Sequence, residues 1–93
     1  MRKLKLYSRS YCHLCHDMEV ALQAQFDLTD VELEVLDIDA TGQEAALAQW
    51  DELVPVLLAQ QADGNWQELC HYFLAPQAVA AWLGQAPRLP QPD

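Results

Sequence analysis

Basic residues are scarce in this chain: five Lys and Arg stand against fourteen Asp and Glu among 93 residues, for a formal net charge of -9. Nucleic acid is thereby excluded as a main partner, because phosphate binding wants a clustered basic face. Long apolar runs are also missing. None approaches the roughly 18 to 20 consecutive apolar residues of a transmembrane helix. The charged start Met1-Arg2-Lys3 leads into a strand-like run, without the apolar core and small-residue cleavage site of a secretory signal. The expectation is a cytoplasmic chain with no membrane partner. Only three cysteines occur, at uneven spacing, which is too few for a disulfide-stapled scaffold. In a reducing compartment a close pair points to redox or metal chemistry instead. There is no internal repeat and no linker, and 93 residues of which 52% are hydrophobic suffice for one core but not two.

What basic charge there is lies at one end. Arg2, Lys3, Lys5 and Arg9 precede the pair Cys12-His13-Leu14-Cys15, and no further cation follows until Arg88. Two readings of this segment stay open: a local positive field that favours a Cys12 thiolate, or solvated strand residues that discourage edge pairing. The cysteine pair lies just beyond the apolar run Leu4-Lys5-Leu6-Tyr7 and opens an amphipathic stretch, so it sits where a strand hands over to a helix. There the first sulfur lies beside unpaired backbone N–H groups and the positive end of the helix dipole, which favours thiolate over thiol. The second sulfur, one helical turn on, is placed to close the ring and expel a bound partner.

Periodicity assigns a first strand to residues 3–8 and a helix to residues 13–25, with Leu14, Met18, Ala21, Leu22 and Gln25 marking the face that packs on a sheet. Residues 31–38, in which Glu32 and Glu34 alternate with Val31, Leu33 and Val35, suit a half-exposed edge strand. Strand, helix, strand makes a parallel right-handed unit. Thr41-Gly42-Gln43-Glu44 has the form of a capping box, with Thr41 as N-cap of a short helix over residues 45–50. Residues 54–58 and 66–70 flank Ala62-Asp63-Gly64-Asn65, whose Asp-Gly step signals an antiparallel hairpin, with Pro55 at the start of its strand. A last helix runs from Pro76 to Leu83, with Gly84 as its stop and Val79, Trp82 and Leu83 on the buried side. Pro87, Pro90 and Pro92 predict that residues 86–93 form a flexible tail beyond a domain of residues 1–85.

The order β-α-β-α-β-β-α with a dithiol after the first strand resembles the thioredoxin superfamily, specifically its small bacterial glutaredoxin-like branch, over roughly Lys3 to Leu83. Four features carry the resemblance: Leu6-Tyr7-Ser8 running into Cys12-His13-Leu14-Cys15, Asp37-Ile38-Asp39 at the end of the second strand, Val54-Pro55, and the closing Ala81-Trp82-Leu83. It implies an α/β, thioredoxin-like (glutaredoxin-type) fold, a four-stranded mixed sheet flanked by helices. It also implies a thiol–disulfide oxidoreductase with no bound cofactor or metal, in which Cys12 attacks the substrate disulfide and Cys15 resolves the mixed disulfide. Val54-Pro55 matches the family's cis-proline site, where the preceding residue offers its backbone to an extended substrate. His13 and Arg9 are expected to tune the Cys12 thiolate, and Tyr11 to line the substrate groove. The partners implied are a disulfide-containing protein or small thiol as substrate, and glutathione or a thioredoxin-type protein as reductant. Cys70-His71-Tyr72 replaces the glycine pair that lets backbone amides approach a glutathione carboxylate, and no proline follows Cys12, so weak glutathione specificity is expected. Cys70 reads as a small buried hydrophobe.

His13 and His16 sustain two other chemistries. Cys12-His13-Leu14-Cys15-His16 matches the string for covalent haem attachment, but that chemistry wants export, a second axial ligand and a helix-rich pocket. Zinc or an iron–sulfur centre would draw Cys12, Cys15 and His16 together with Cys70 or His71. The alternative function is accordingly a metal- or partner-binding module of the same fold, with the cysteines as ligands or as a switch.

Overall fold

The computed structural model, which describes residues 2–88, follows the expected element order. Strand β1 (Arg2–Ser8) has the side-chain alternation of a central strand: Leu4 and Leu6 are fully buried on one face, and Tyr7 is buried on the other. Helix α1 (His13–Gln25) carries the chain back to β2 (Val31–Asp37), which runs parallel to β1 in register from Arg2 opposite Val31 to Ser8 opposite Asp37. After the short helix α2 (Glu44–Trp50), β3 (Val56–Gln60) pairs antiparallel with the other side of β1, and β4 (Trp66–His71) pairs antiparallel with β3. The sheet order is β2-β1-β3-β4, so the chain is an α/β domain with a mixed sheet. Helix α3 (Pro76–Leu83) starts on a proline and stops at Gly84, whose φ of 73° is the left-handed conformation that glycine adopts without a Cβ clash.

The two sheet faces bury separate clusters. Under α1 and α3 lie Leu4, Leu6, Met18, Leu22, Phe26, Leu57, Cys70 and Val79. Under α2 lie Tyr7, Ile38, Ala46, Val56 and Leu58, with the Trp50 ring 5.5 Å from that of Tyr7. Helix α2 is only seven residues long and leaves the rest of its face open. Lys3, Lys5, Glu32, Glu34 and Trp66 line that open hollow, with the Lys5 ammonium 4.4 Å from the Trp66 ring centre.

Several expectations shift. The buried stripe of α1 is Cys15, Met18 and Leu22, continued by Phe26, while Leu14 is 37% exposed. Helix α2 begins later than a Thr41 cap would start it. Gly42, at φ 95°, turns the chain, Gln43 is the N-cap without a side-chain cap bond, and the Glu44 carboxylate accepts from the Gly42 N–H instead of the Thr41 N–H, so the capping box does not form. Strand β3 begins at Val56 rather than residue 54, because Pro55 has no N–H to give to a ladder. In β2 the alternation holds through Glu34, after which Val35 is exposed and Leu36 half-buried. Residues 86–88 of the expected tail return to α1, where the Arg88 N–H donates to the Gln25 carbonyl at 2.7 Å; the remainder of that tail, with Pro90 and Pro92, lies outside the described residues. Among the described residues no helix is long and apolar enough to cross a membrane.

Candidate functional site

The topology gathers four chain segments at one end of the sheet. β1 and β2 are parallel and finish there together; β3 begins there with Val56 opposite Tyr7, and β4 ends there with His71 opposite Val56. The loops at that end carry residues 9–12, residues 38–39, Val54-Pro55 and residues 72–74. Segments far apart in sequence therefore meet because strand direction brings them together.

Cys12 is the N-cap of α1, with extended backbone angles of φ -101° and ψ 104°. Its Sγ accepts a hydrogen bond from the Cys15 N–H at 3.1 Å, in the place where Ser or Asp oxygen caps most helices. Cys12 and Cys15 are joined in a disulfide with their Cα atoms 5.3 Å apart. Cys12 is half-buried and Cys15 only 2% exposed, so Cys12 is the more accessible of the two. The amide that now faces a disulfide sulfur would face a thiolate in the reduced protein, where a charge-assisted bond is stronger.

The residues around the pair divide into two groups. Tyr11, His13 and His16 are exposed, and with Arg9, Cys12 and Glu19 they border an open hollow of about 360 Å³. Tyr11 projects into solvent from a left-handed backbone (φ 61°), an uncommon conformation for a bulky residue. Arg9 is not a free cation at the sulfur. Its Nε and Nη2 donate to both Asp39 oxygens at 2.8 and 3.0 Å, Nη2 also reaches Asp51 Oδ1 at 2.6 Å, and Nη1 reaches the Asp51 carbonyl at 3.0 Å. Hydrogen bonding to Arg9 holds the Asp39 carboxyl below the usual range, and the same two carboxylates push the guanidinium further up. Arg9 thus ties the loop that bears Cys12 to the segments after β2 and after α2.

The rest of the basic segment does not reach the dithiol. Arg2 donates to the Trp82 carbonyl and stacks 4.0 Å from that ring's centre, and Lys3 pairs with Glu32 at 3.8 Å. A strand rises about 3.3 Å per residue, so Lys3 lies roughly 16 Å from the sheet end that bears Cys12, beyond a Debye length of about 8 to 10 Å. These residues also guard no edge, because β1 is an inner strand.

Val54-Pro55 is a cis peptide and Pro55 is buried. The Pro55 carbonyl accepts from the Tyr72 N–H at 2.9 Å, whereas Val54 takes part in none of the backbone hydrogen bonds of turns and loops among the described residues. Cys70 is buried in the face under α3, and burial pushes its thiol up from the ordinary value. His71 turns to Glu68, with Nδ1 3.3 Å from the carboxylate. Among the described residues no group of three or more His, Cys, Asp or Glu gathers around one metal position, so the ligand set Cys12, Cys15, His16 and Cys70 or His71 does not assemble.

Three parts of the site are assigned no role by the sequence. Asp39 is findable, since parallel pairing of β1 with β2 sets Asp37 beside Ser8 and leaves Asp39 facing Arg9. Asp51 has no such signal. Tyr72-Phe73-Leu74 does carry one, an apolar run directly after a strand with Phe73 69% exposed.

The profile of the family described as "Glutaredoxin-like domain (DUF836)" matches residues 3–84. The solution NMR structure of Protein Ne2328 from Nitrosomonas europaea is 39% identical, over 87% of this chain and 89% of that one, with a TM-score of 0.68. Thioredoxin O1 from Arabidopsis thaliana in the oxidized state is 18% identical over 89% of this chain and 74% of that one, with a TM-score of 0.54, a likeness of fold alone. No curated protein matches the chain.

Proposed function

The chain belongs to the glutaredoxin-like domain (DUF836) family of thioredoxin-fold proteins, and from that premise we propose that it is a thiol–disulfide oxidoreductase working through Cys12 and Cys15. The observation that carries the reading is the N-cap: a half-buried Cys12 whose sulfur accepts from the Cys15 N–H at 3.1 Å, with a buried Cys15 a turn behind it.

In the reduced protein the Cys12 thiolate attacks one sulfur of a substrate disulfide. An S–S bond forms to Cys12, the substrate S–S bond breaks, and the leaving thiolate takes a proton from solvent. Cys15, having lost its proton, then attacks Cys12 Sγ. The protein disulfide forms, the mixed disulfide breaks, and the second substrate thiol departs. Two electrons have passed to the substrate, and a solution dithiol or two monothiols return the protein to its reduced form. Val54, with its backbone groups uncommitted next to Pro55, is read as the pairing edge for an extended substrate, and Tyr11 as a rim residue. The helix terminus is the main source of thiolate stabilisation, with His13 second. Arg9 tunes through position rather than free charge, since two carboxylates hold it.

Cys15→Ser, mixed with a protein disulfide, is expected to accumulate a mixed disulfide through Cys12, and Cys12→Ser to accumulate none. Trapping through Cys15 or Cys70 would overturn the roles. Titration of the pair against glutathione and thioredoxin redox buffers identifies the donor and the direction of electron flow.

A further inference from the structure

On the side of the dithiol away from Arg9, a cleft of about 160 Å³ opens between Leu14, Met18 and Ala21 of α1 and Tyr72, Phe73 and Leu74 after β4. An engineered cavity of about 150 Å³ takes a benzene ring, so this space suits one large apolar side chain. Leu14 and Tyr72 are 37% and 38% exposed, and with Phe73 they make one apolar rim around the cleft rather than scattered surface residues. The rim is held in place. Tyr72 sits at φ 62°, a backbone conformation that costs a bulky residue free energy, and two anchors keep it there: its N–H donates to the Pro55 carbonyl at 2.9 Å and its hydroxyl to the Glu52 carbonyl at 2.8 Å. The cleft thus borders the dithiol segment at Leu14, which stands between the two cysteines, and is tied to Pro55 through the Tyr72 N–H.

Charge narrows the occupant. None of the five Lys and Arg side chains lines the cleft: Arg2 stacks on Trp82, Lys3 pairs with Glu32, Lys5 lies over Trp66, Arg9 pairs with Asp39 and Asp51, and Arg88 acts on Asp27. At the cleft itself stands Asp17, without an ion-pair partner among the described residues, on a chain of net charge -9. The two carboxylates of glutathione meet no counter-charge there, whereas a basic polypeptide does.

Resting on the dithiol reading above, we propose that the cleft selects a polypeptide disulfide whose cysteine is flanked by a large apolar residue and a basic one. The apolar side chain enters between Leu14 and Phe73, and the basic residue faces Asp17. Occupancy sets the substrate sulfur over Cys12 for the exchange step already described.

The test uses the pre-reduced protein and two peptide mixed disulfides with the same leaving thiol, one with Leu and Lys beside the cysteine and one with Ser and Glu. Each second-order rate constant is normalised to that peptide's rate with dithiothreitol. Wild type is expected to prefer the Leu/Lys peptide by about tenfold, the order expected for partial burial of one such side chain. Phe73→Ser is expected to lower the ratio severalfold, leaving only the part that charge supplies, and Asp17→Lys to lower it with a weaker dependence on salt. Val20→Ser, which changes a residue 50% exposed elsewhere on α1, keeps the wild-type ratio. A wild-type ratio near one, a ratio that survives Phe73→Ser, or glutathione disulfide outrunning both peptides overturns the cleft proposal. Bis(2-hydroxyethyl) disulfide separates the two levels: if it oxidises the protein while the peptides are not distinguished, only the cleft proposal fails, and if it does not react, the dithiol reading fails and the cleft proposal with it.

Discussion

With the Cys12–Cys15 bond reduced and iodoacetamide held well below one equivalent at pH 7, alkylation is expected on Cys12 first. Cys12 Sγ lies at the helix N-cap, 3.1 Å from the Cys15 N–H, and Cys12 is half-buried, whereas Cys15 and Cys70 are 2% and 8% exposed. A helix terminus stabilises an exposed anion by about 0.3 to 1 kcal/mol. A hydrogen bond to a charged acceptor contributes about 1.5 to 3 kcal/mol. Together these favour the Cys12 thiolate by roughly 2 to 4 kcal/mol, at about 1.4 kcal/mol per factor of ten. An ordinary thiol, with its pKa near 8.5, is only a few per cent ionised at neutral pH, so the gain in thiolate saturates at about thirtyfold. Nucleophilicity falls with basicity along a slope of about 0.4 to 0.5 and removes part of that gain. The net advantage over an ordinary exposed thiol is therefore about one- to fourfold, and the shielding of Cys15 and Cys70 supplies most of the expected order. Peptide mapping by mass spectrometry after limited labelling reads the order directly. His13→Ala should slow Cys12 by a smaller factor than the one separating Cys12 from free glutathione. Equal labelling of Cys12 and Cys15, or a preference for Cys15 or Cys70, refutes the argument from the helix terminus.

Leu22→Ala empties a fully buried position between α1 and the sheet and should cost about 2 to 5 kcal/mol, out of roughly 5 to 14 for a domain of this length, lowering the urea midpoint with little change in slope. Asp39 carries a depressed folded-state pKa because Arg9 hydrogen-bonds to it, so its contribution is complete above the unfolded carboxylate value and disappears as pH falls through the folded one. The difference in thermal midpoint between wild type and Asp39→Asn should therefore shrink as pH drops from 5 to below 3, and a difference that stays constant would rule out the Arg9 pairing as its source. Cys70, buried and pushed up by that burial, should stay silent to Ellman's reagent in the native reduced protein and appear as a third thiol in guanidinium.

Wherever a local physical rule acts within a few residues, the sequence alone is sufficient. Helix α1 begins at His13 because Cys12 caps it, α3 stops at Gly84 because glycine takes φ 73°, and the hairpin turns at Asp63-Gly64, where Gly64 has φ 90° and the Gln61 N–H donates to the Asn65 carbonyl at 2.7 Å. The dithiol and its place at a helix start are legible for the same reason. Local rules fail where two cues compete over a short span, as at Thr41 and Gly42, where a positive-φ turn displaces the cap. They fail again at Leu14, whose helical spacing matches the buried stripe although it faces outward beside Phe73. Everything that depends on which strands are neighbours was decided by the tertiary structure. Setting β1 between β2 and β3 commits the Arg9 charge to Asp39 and Asp51 and brings Val54-Pro55 and residues 72–74 to the sheet end that bears Cys12. Those side chains are separated by tens of residues in sequence, and charge, exposure and access at Cys12 are sums over neighbours in space, which chain order does not encode locally.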